Sequence, residues 1–198
     1  MLGNRLHHKI RAAEIRLMKL ASAIFQSEPM SVSLKQLRSD ELNMVIHIAL
    51  DPGQEPFAGG PLSLVFGRLR GADGAGDEYP FAIYAFCEVV GFVLLRAQQL
   101  APSWAPPDAV TLHNLRIDRE QQGRGYAKQA IKLLLEWVTA NLPTARRVAL
   151  CVNQSNEHAR RIYLACGFAD TGQTIVGTLG PQSILVCELS AAESLPNT

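Results

Sequence analysis

The chain has 198 residues, 47% of them hydrophobic, and 19 basic against 18 acidic side chains for a formal net charge of +1. That length suits one domain with a substantial buried core, and the near-neutral balance excludes a protein held on nucleic acid by bulk electrostatics. No apolar run approaches the roughly 20 residues needed to span a bilayer, so neither nucleic acid nor membrane is expected as a partner.

Residues 1–29 form the first segment. Ile10, Ala13, Leu17, Leu20 and Ile24 recur at alternating three- and four-residue spacing, with Arg5, Lys9, Arg11, Arg16 and Lys19 giving a basic face. Lys19 interrupts the apolar run, which argues against a secretory signal. An N-terminal helical extension is expected, packing on the following domain or on a second subunit, so a homodimer is open. A surface-seeking basic helix, or an extension ahead of a natural start at Met30, are the other readings.

A main domain is expected over 30–190, followed by a tail at 191–198. Ser31 to Leu37 alternates and reads as a strand, and Ser39 or Asp40 can cap a helix running to Ala49. Asp51-Pro52-Gly53 is a turn, and a second short helix from Pro61 to Leu69 gives way to an acidic, glycine-rich loop. Phe81–Cys87 and Val89–Ala97 read as a hairpin around Glu88, and Pro102, Pro106 and Pro107 break the chain before a strand at Val110–Asp118.

The run Leu115 to Ala127, L-R-I-D-R-E-Q-Q-G-R-G-Y-A, passes from an apolar strand through a polar loop to glycines at the mouth of an amphipathic helix. The first amides of a helix lack intrahelical acceptors, and the aligned peptide dipoles put partial positive charge there, so the amides from Gln122 to Ala127 can bind an anion. Gly123 and Gly125 either remove Cβ atoms that would hold a ligand away or permit a positive φ, and Arg124 can add a charge-assisted contact. Ala127, Ala130, Ile131, Leu134 and Val138 form the helix's apolar stripe, and Asn141 and Pro143 end it. A dinucleotide fingerprint would need a third Gly or Ala at Lys128, and a Walker loop would need Gly-Lys-Ser/Thr, so a different phosphate ligand is implied.

Arg147 to Val152, R-V-A-L-C-V, reads as a buried strand. Ser155 can cap the next helix, whose stripe is Ala159, Ile162, Tyr163 and Cys166, and Gly167 is its left-handed stop. Thr171–Thr178 and Ser183–Leu189 are two more alternating runs. Cys87, Cys151, Cys166 and Cys187 sit in apolar contexts without C-x-x-C spacing, so free thiols in a reducing cytoplasm are expected rather than disulfides, and no metal.

The order and the residues resemble the GNAT N-acetyltransferase superfamily. Leu115-Arg116-Ile117 resembles its central strand, Gln122-Gly123-Arg124-Gly125-Tyr126-Ala127 its pyrophosphate motif, and Asn156, Ala159, Tyr163, Gly167 and Phe168 its next helix. The resemblance implies an α+β fold, with a mixed central sheet of about seven strands flanked by helices on both faces, here with the extra N-terminal helix. It implies acetyl-CoA as cosubstrate, held by the backbone of Leu115, Arg116 and Ile117, by Gln122 to Ala127 and by Asn156. The phrases Gln54-Glu55-Pro56-Phe57 and Ile117 to Tyr126 are most similar to bacterial spermine and spermidine acetyltransferases. The implied activity is direct transfer of acetyl, in a ternary complex, to a primary amine of a small molecule, polyamine-like or other. An acetyl-CoA-binding regulatory module with little catalysis and a protein N-terminal acetyltransferase are the alternatives.

By the same resemblance Tyr163 would protonate the departing sulfur, although its place on its helix's apolar stripe also reads as a core tyrosine with its hydroxyl satisfied. His113 is expected on one strand face with Leu115 and Ile117, as a base or a structural histidine. Asn156 is a coenzyme contact or a cap. Glu55, Glu88 and Asp51 read as ordinary surface carboxylates or as further base or cation-binding candidates, and His47 is expected only to pack.

Overall fold

Seven runs of alternating or continuous apolar residues pair into one sheet in the computed structural model, which describes residues 32–70 and 76–189. The amphipathic run at 1–29, most of the acidic loop and the tail at 191–198 lie outside the described residues. The strands are β1 (Val32–Gln36), β2 (Glu78–Ala85), β3 (Glu88–Arg96), β4 (Ala109–Ile117), β5 (Arg147–Asn153), β6 (Ala169–Gly177) and β7 (Gly180–Glu188), in the spatial order β1-β2-β3-β4-β5-β7-β6. All neighbours are antiparallel except β4 and β5, which the helix α2 (Tyr126–Asn141) connects as a crossover. Two further helices are α1 (Leu62–Arg70) and α3 (Glu157–Ala165). The expected mixed, helix-flanked α+β architecture is the one observed.

Each sheet face buries its own cluster. On one face Ala130, Ile131, Leu134 and Val138 of α2 meet Val110, Leu112, Phe81, Val93 and Leu150. On the other, Val65 and Phe66 of α1 join Leu42, Val45 and Ile48 against Ala82, Phe92 and Leu94. Burying each such large side chain contributes about 1.5–3 kcal/mol, so the two clusters fix which way the sheet faces.

The segment expected to be helical to Ala49 is instead a short 3-10 helix, Ser39–Val45. Neither Ser39 nor Asp40 caps it: the Arg38 guanidinium takes the Asp40 carboxylate, and the Glu41 carboxylate accepts the Arg38 N–H at 3.0 Å. The helix cannot continue because Ala49 is committed elsewhere. Its N–H donates to the Asp118 carboxylate at 2.9 Å, and its carbonyl accepts the Arg119 N–H at 2.9 Å. The hairpin turn lies at Phe86-Cys87, with Phe86 at φ 55°, and Glu88 is already the first residue of β3.

Two irregularities in β4 shape the middle of the sheet. Phe92 pairs with Arg116 but Leu94 pairs with His113, so β4 carries one extra residue, absorbed by Asn114 at φ 54°. Pairing with β5 covers only Ala109 to Thr111, opposite Arg147 to Ala149. From Leu112 onward the two strands separate.

The bulge also needs Gly91. A Cβ there would meet the Arg116 carbonyl oxygen and the Ile83 and Ile117 side chains. Overpacking against backbone has no rotamer escape, so Gly91→Ala is expected to destabilise the fold by about 2–3 kcal/mol. A urea midpoint that falls at constant slope is the expected result; an unshifted midpoint would show that β3 and β4 do not approach as described.

Candidate active site

The gap between β4 and β5 is where the sheet's hydrogen-bonding capacity is left over. Beyond Thr111, β4 is bonded to β3 on one side only, while β5 is bonded to β7 through Asn153. Polar backbone groups on such an open edge are costly to bury unpaired, and an extended ligand can use them as a further strand would.

At the same end of β4 the chain enters a short 3-10 turn, Arg119–Gln121, and then the glycine turn before α2. Gly123 and Gly125 have φ of 77° and 79°, and Gly125 is the N-cap of α2 without any side-chain cap. No protein atom lies within 4 Å of a Cβ built on Gly123. For Gly123 the positive φ is therefore the operative one of the two reasons within the protein. Among the described residues, no backbone N–H from Gln122 to Lys128 donates to a protein acceptor. Gly123, Arg124 and Gly125 are exposed. Open, left-handed and uncapped, the turn offers its amides to an anion, and the helix dipole adds to the attraction.

Side chains in this stretch are spent differently. Tyr126 is buried in the core against α2's neighbours, so only its backbone faces the turn. The Gln122 amide donates to the Ile117 carbonyl at 3.0 Å and exchanges hydrogen bonds with the Gln54 amide at 2.9 and 3.1 Å. Arg124 is exposed and reaches the Glu120 carbonyl at 3.3 Å, so its guanidinium stays at the mouth. Ala127 is half-buried on the apolar stripe.

Asn156, rather than Ser155, caps α3. Its Oδ1 accepts the Ala159 N–H at 3.2 Å, while the Ser155 hydroxyl is drawn to Asn153 Oδ1 at 2.6 Å. The Asn156 side-chain N–H groups have no protein partner among the described residues. Two turns on, the half-buried Tyr163 ring packs edge-on against Phe168, 5.8 Å between centroids. Its hydroxyl has no hydrogen-bond partner among the described residues and is not sealed from solvent. Burial pushes the phenol above its usual range, which already keeps the proton on at neutral pH.

His113 is not on one face with Leu115 and Ile117. The bulge at Asn114 turns the strand over: Val110 and Leu112 face α2, and after the extra residue so do Leu115 and Ile117. His113 lies opposite Leu94, and Arg116 opposite Phe92, so both belong to the other face. Thr111 donates its hydroxyl proton to the Arg96 carbonyl at 3.2 Å, which leaves it to accept from His113 Nε2–H at 2.8 Å. That network assigns the tautomer with the lone pair on Nδ1.

Burial, with the Arg96 charge second, lowers the His113 pKa to about 4. The unfolded chain would bind a proton near pH 6.5, and the folded one only near 4. Stability contributed by His113 is thus complete above about pH 6.5 and is lost as pH falls towards 4. At pH 5 the loss is expected to be about 2 kcal/mol relative to pH 7.5. His113→Gln should flatten that part of the urea-midpoint profile; parallel profiles for the two proteins would refute the burial argument.

Arg116, expected to serve a ligand through its backbone, has a fully buried side chain that donates to the carbonyls of Ala58 at 2.6 Å and Gly60 at 3.1 Å. Glu55 stands 3.9 Å from its Nη1, in the short 3-10 turn Glu55–Ala58. Asn114 Nδ2 donates to the same Ala58 carbonyl at 2.8 Å. Asn114 and Gln54 were not candidates on sequence, and a left-handed asparagine leaves no local signal beyond its residue type. Glu88 and His47 lie together on a separate cleft beside Asp118, where His47 Nε2 is 3.2 Å from the Val89 carbonyl. Asp51 is exposed in its turn. Among the described residues no cluster of three His, Cys, Asp or Glu could hold a metal ion, and no helix is long and apolar enough to cross a membrane.

Comparison with known proteins points the same way. The chain is 37% identical over 119 residues to an uncharacterised N-acetyltransferase, YbbJ, of Bacillus subtilis strain 168, covering 59% of this chain and 74% of that protein. It is 30% identical over 97 residues to a probable spermine N(1)-acetyltransferase of Bacillus subtilis subsp. natto, covering 48% of this chain and 61% of that one. Its fold is similar to the aminoglycoside acetyltransferase AAC(6')-Ib in complex with coenzyme A (TM-score 0.68, 19% identity, 84% of this chain and 100% of the other). It is also similar to the spermidine N-acetyltransferase of Vibrio cholerae in complex with coenzyme A and spermine (TM-score 0.64, 17% identity, 81% and 96%). With residues 42–168 matching the acetyltransferase (GNAT) family across the open strand edge, the glycine turn and the tyrosine helix alike, the chain belongs to that family.

Proposed function

We propose that this protein moves an acetyl group from acetyl-CoA directly to a primary amine of a small molecule. The observation that carries the reading is the coincidence of three unused donor sets: the open edge of β4, the free amides from Gln122 to Lys128, and the unpartnered hydroxyl of Tyr163. The residues present fit the coenzyme. The turn would hold its diphosphate through the backbone of Gln122 to Ala127 with Arg124 at the mouth, and Leu115 to Ile117 would hold its extended arm. Asn156 would add its free side-chain amide. Bound there, acetyl-CoA supplies an activated acyl group and a thiolate leaving group.

The chain's own chemistry follows from its protonation states. Backbone donors on β4 stabilise the charge that develops on the acyl oxygen, an effect worth more on a preorganised, water-poor edge than in bulk water. Tyr163, whose phenol is protonated at neutral pH, would give its proton to the leaving sulfur. His113 presents Nδ1 as an acceptor towards the face opposite α2. With a pKa of about 4 it orients the amine through a hydrogen bond rather than storing its proton, which passes to water, and water in turn restores the proton that Tyr163 gives up.

The four cysteines are free thiols, which supports action in a reducing cytoplasm. Polyamines and aminoglycosides head the acceptor panel because the relatives named above act on or bind them. Thiol release with spermine, spermidine, kanamycin, amino acids and peptides as acceptors tests the reading. Turnover with a small amine supports it; saturable acetyl-CoA binding with none of these turning over would favour a regulatory module.

A further inference from the structure

We propose that Asn114 and Arg116 are positioning residues for the acceptor amine, acting through the Gln54–Gly60 turn that they clasp. This rests on the transferase reading above. The bulge gives the stretch His113–Ile117 two outputs. Its backbone lines the gap to β5, and its Asn114 and Arg116 side chains hold the turn on the face opposite α2.

The clasp is closely seated. Asn114 Nδ2 and Arg116 Nη2 converge on one carbonyl, that of Ala58, at 2.8 and 2.6 Å, and Arg116 takes Gly60 as well. A Cβ on Gly59, which sits at φ +82°, would strike the Asn114 amide. The turn itself is a single 3-10 unit of four residues, too short to hold its shape alone. What fixes it is β4, together with the Gln54 and Gln122 amide pair that ties it to the glycine turn.

The position of this turn decides what it does. The diphosphate site is at the start of α2, so the coenzyme arm enters the gap from the α2 side, and an amine must arrive from the opposite face. There the turn presents the Glu55 side chain, 29% exposed with its Oε2 buried towards Arg116, and the Phe57 ring, 41% exposed. A carboxylate beside an exposed ring suits a cationic amine with an apolar body. Releasing the clasp would displace both groups relative to the β4 edge, while the Gln54–Gln122 amide pair stays in place beside the diphosphate turn.

Asn114→Gly tests this because glycine accepts the left-handed conformation and only the amide is lost. Arg116→Lys is the second variant, keeping the charge but not the two-carbonyl grip. Hydrogen exchange at Phe57 to Gly60 in the ligand-free protein is expected to speed up at least tenfold in Asn114→Gly. With acetyl-CoA and spermidine or kanamycin, whichever turns over, KM for the amine should rise about fivefold to twentyfold, and that for acetyl-CoA by less than twofold. Unchanged exchange would overturn the clasp. Faster exchange with an unmoved amine KM, or equal rises in both KM values, would overturn the positioning role. No turnover by the unaltered protein with any amine would instead sink the transferase reading, and the clasp would stand as architecture only.

Discussion

Replacing Tyr163 by Phe is expected to lower kcat by about 100-fold while leaving acetyl-CoA affinity within twofold. The size follows from what a positioned acid contributes to a proton-transfer step, about 10²–10⁴-fold. The selectivity follows from the structure. Phe keeps the edge-on packing against Phe168 and the place on α3's apolar stripe, and removes only a hydroxyl that no described protein group uses. The phenol carries its proton throughout the neutral range, as any tyrosine above its ordinary value does, and has no structural bond to lose. Thermal stability should accordingly be unchanged or slightly higher. Pre-steady-state thiol release, measured beside calorimetric binding of acetyl-CoA, separates the two effects. A kcat reduced by less than threefold would reassign Tyr163 to the core, and an affinity loss matching the loss of rate would make it a binding residue.

The parts of this site that could be read from sequence are the ones made by neighbours in the chain. Gln122 to Ala127 announce an anion turn because glycine spacing, helix start and apolar stripe are all local, and the structure leaves those amides free. The stripe of Ala159, Ile162, Tyr163 and Cys166 packs on the core as its 3.6-residue period requires. His113 was misplaced for the opposite reason. A strict two-residue alternation puts it with Leu115 and Ile117, but one extra residue at Asn114 inverts the remainder of the strand. The partners that stabilise that bulge, Gly91 and the Ala58 carbonyl, come from other elements, so no window around His113 contains them.

The same division explains the smaller differences. Ser155 and Asn156 are both capping residues, and which one caps α3 is settled by Asn153 taking the Ser155 hydroxyl. The first helix stops short because Asp118 and Arg119 claim the backbone of Ala49. Arg116 was readable only as part of a strand. Its side chain is a fastener to a turn on another element, and a buried arginine gives no sequence signal of where its carbonyl partners lie.

Gly123→Asp is expected to weaken acetyl-CoA binding at least 100-fold in a protein that still folds. The folded state tolerates the change because no protein atom lies near the new Cβ, and because Asp is among the few residues that enter the left-handed region readily. A cost of about 1 kcal/mol for that conformation is the expected limit on stability. Coenzyme meets a different situation. A carboxylate about 4 Å from the diphosphate, at an effective dielectric of about 20, opposes it by about 4 kcal/mol, and each 1.4 kcal/mol is tenfold in affinity. Gly123→Asn is the discriminating control, since it has the same shape and conformational tolerance without the charge. If the amides of this turn grip phosphate, Asn should cost far less affinity than Asp, and raising the salt concentration should narrow the difference between them. Equal losses would mean that bulk alone closes the turn. Undiminished binding in both would place the diphosphate elsewhere on the molecule and remove the foundation of the acetyl-transfer reading.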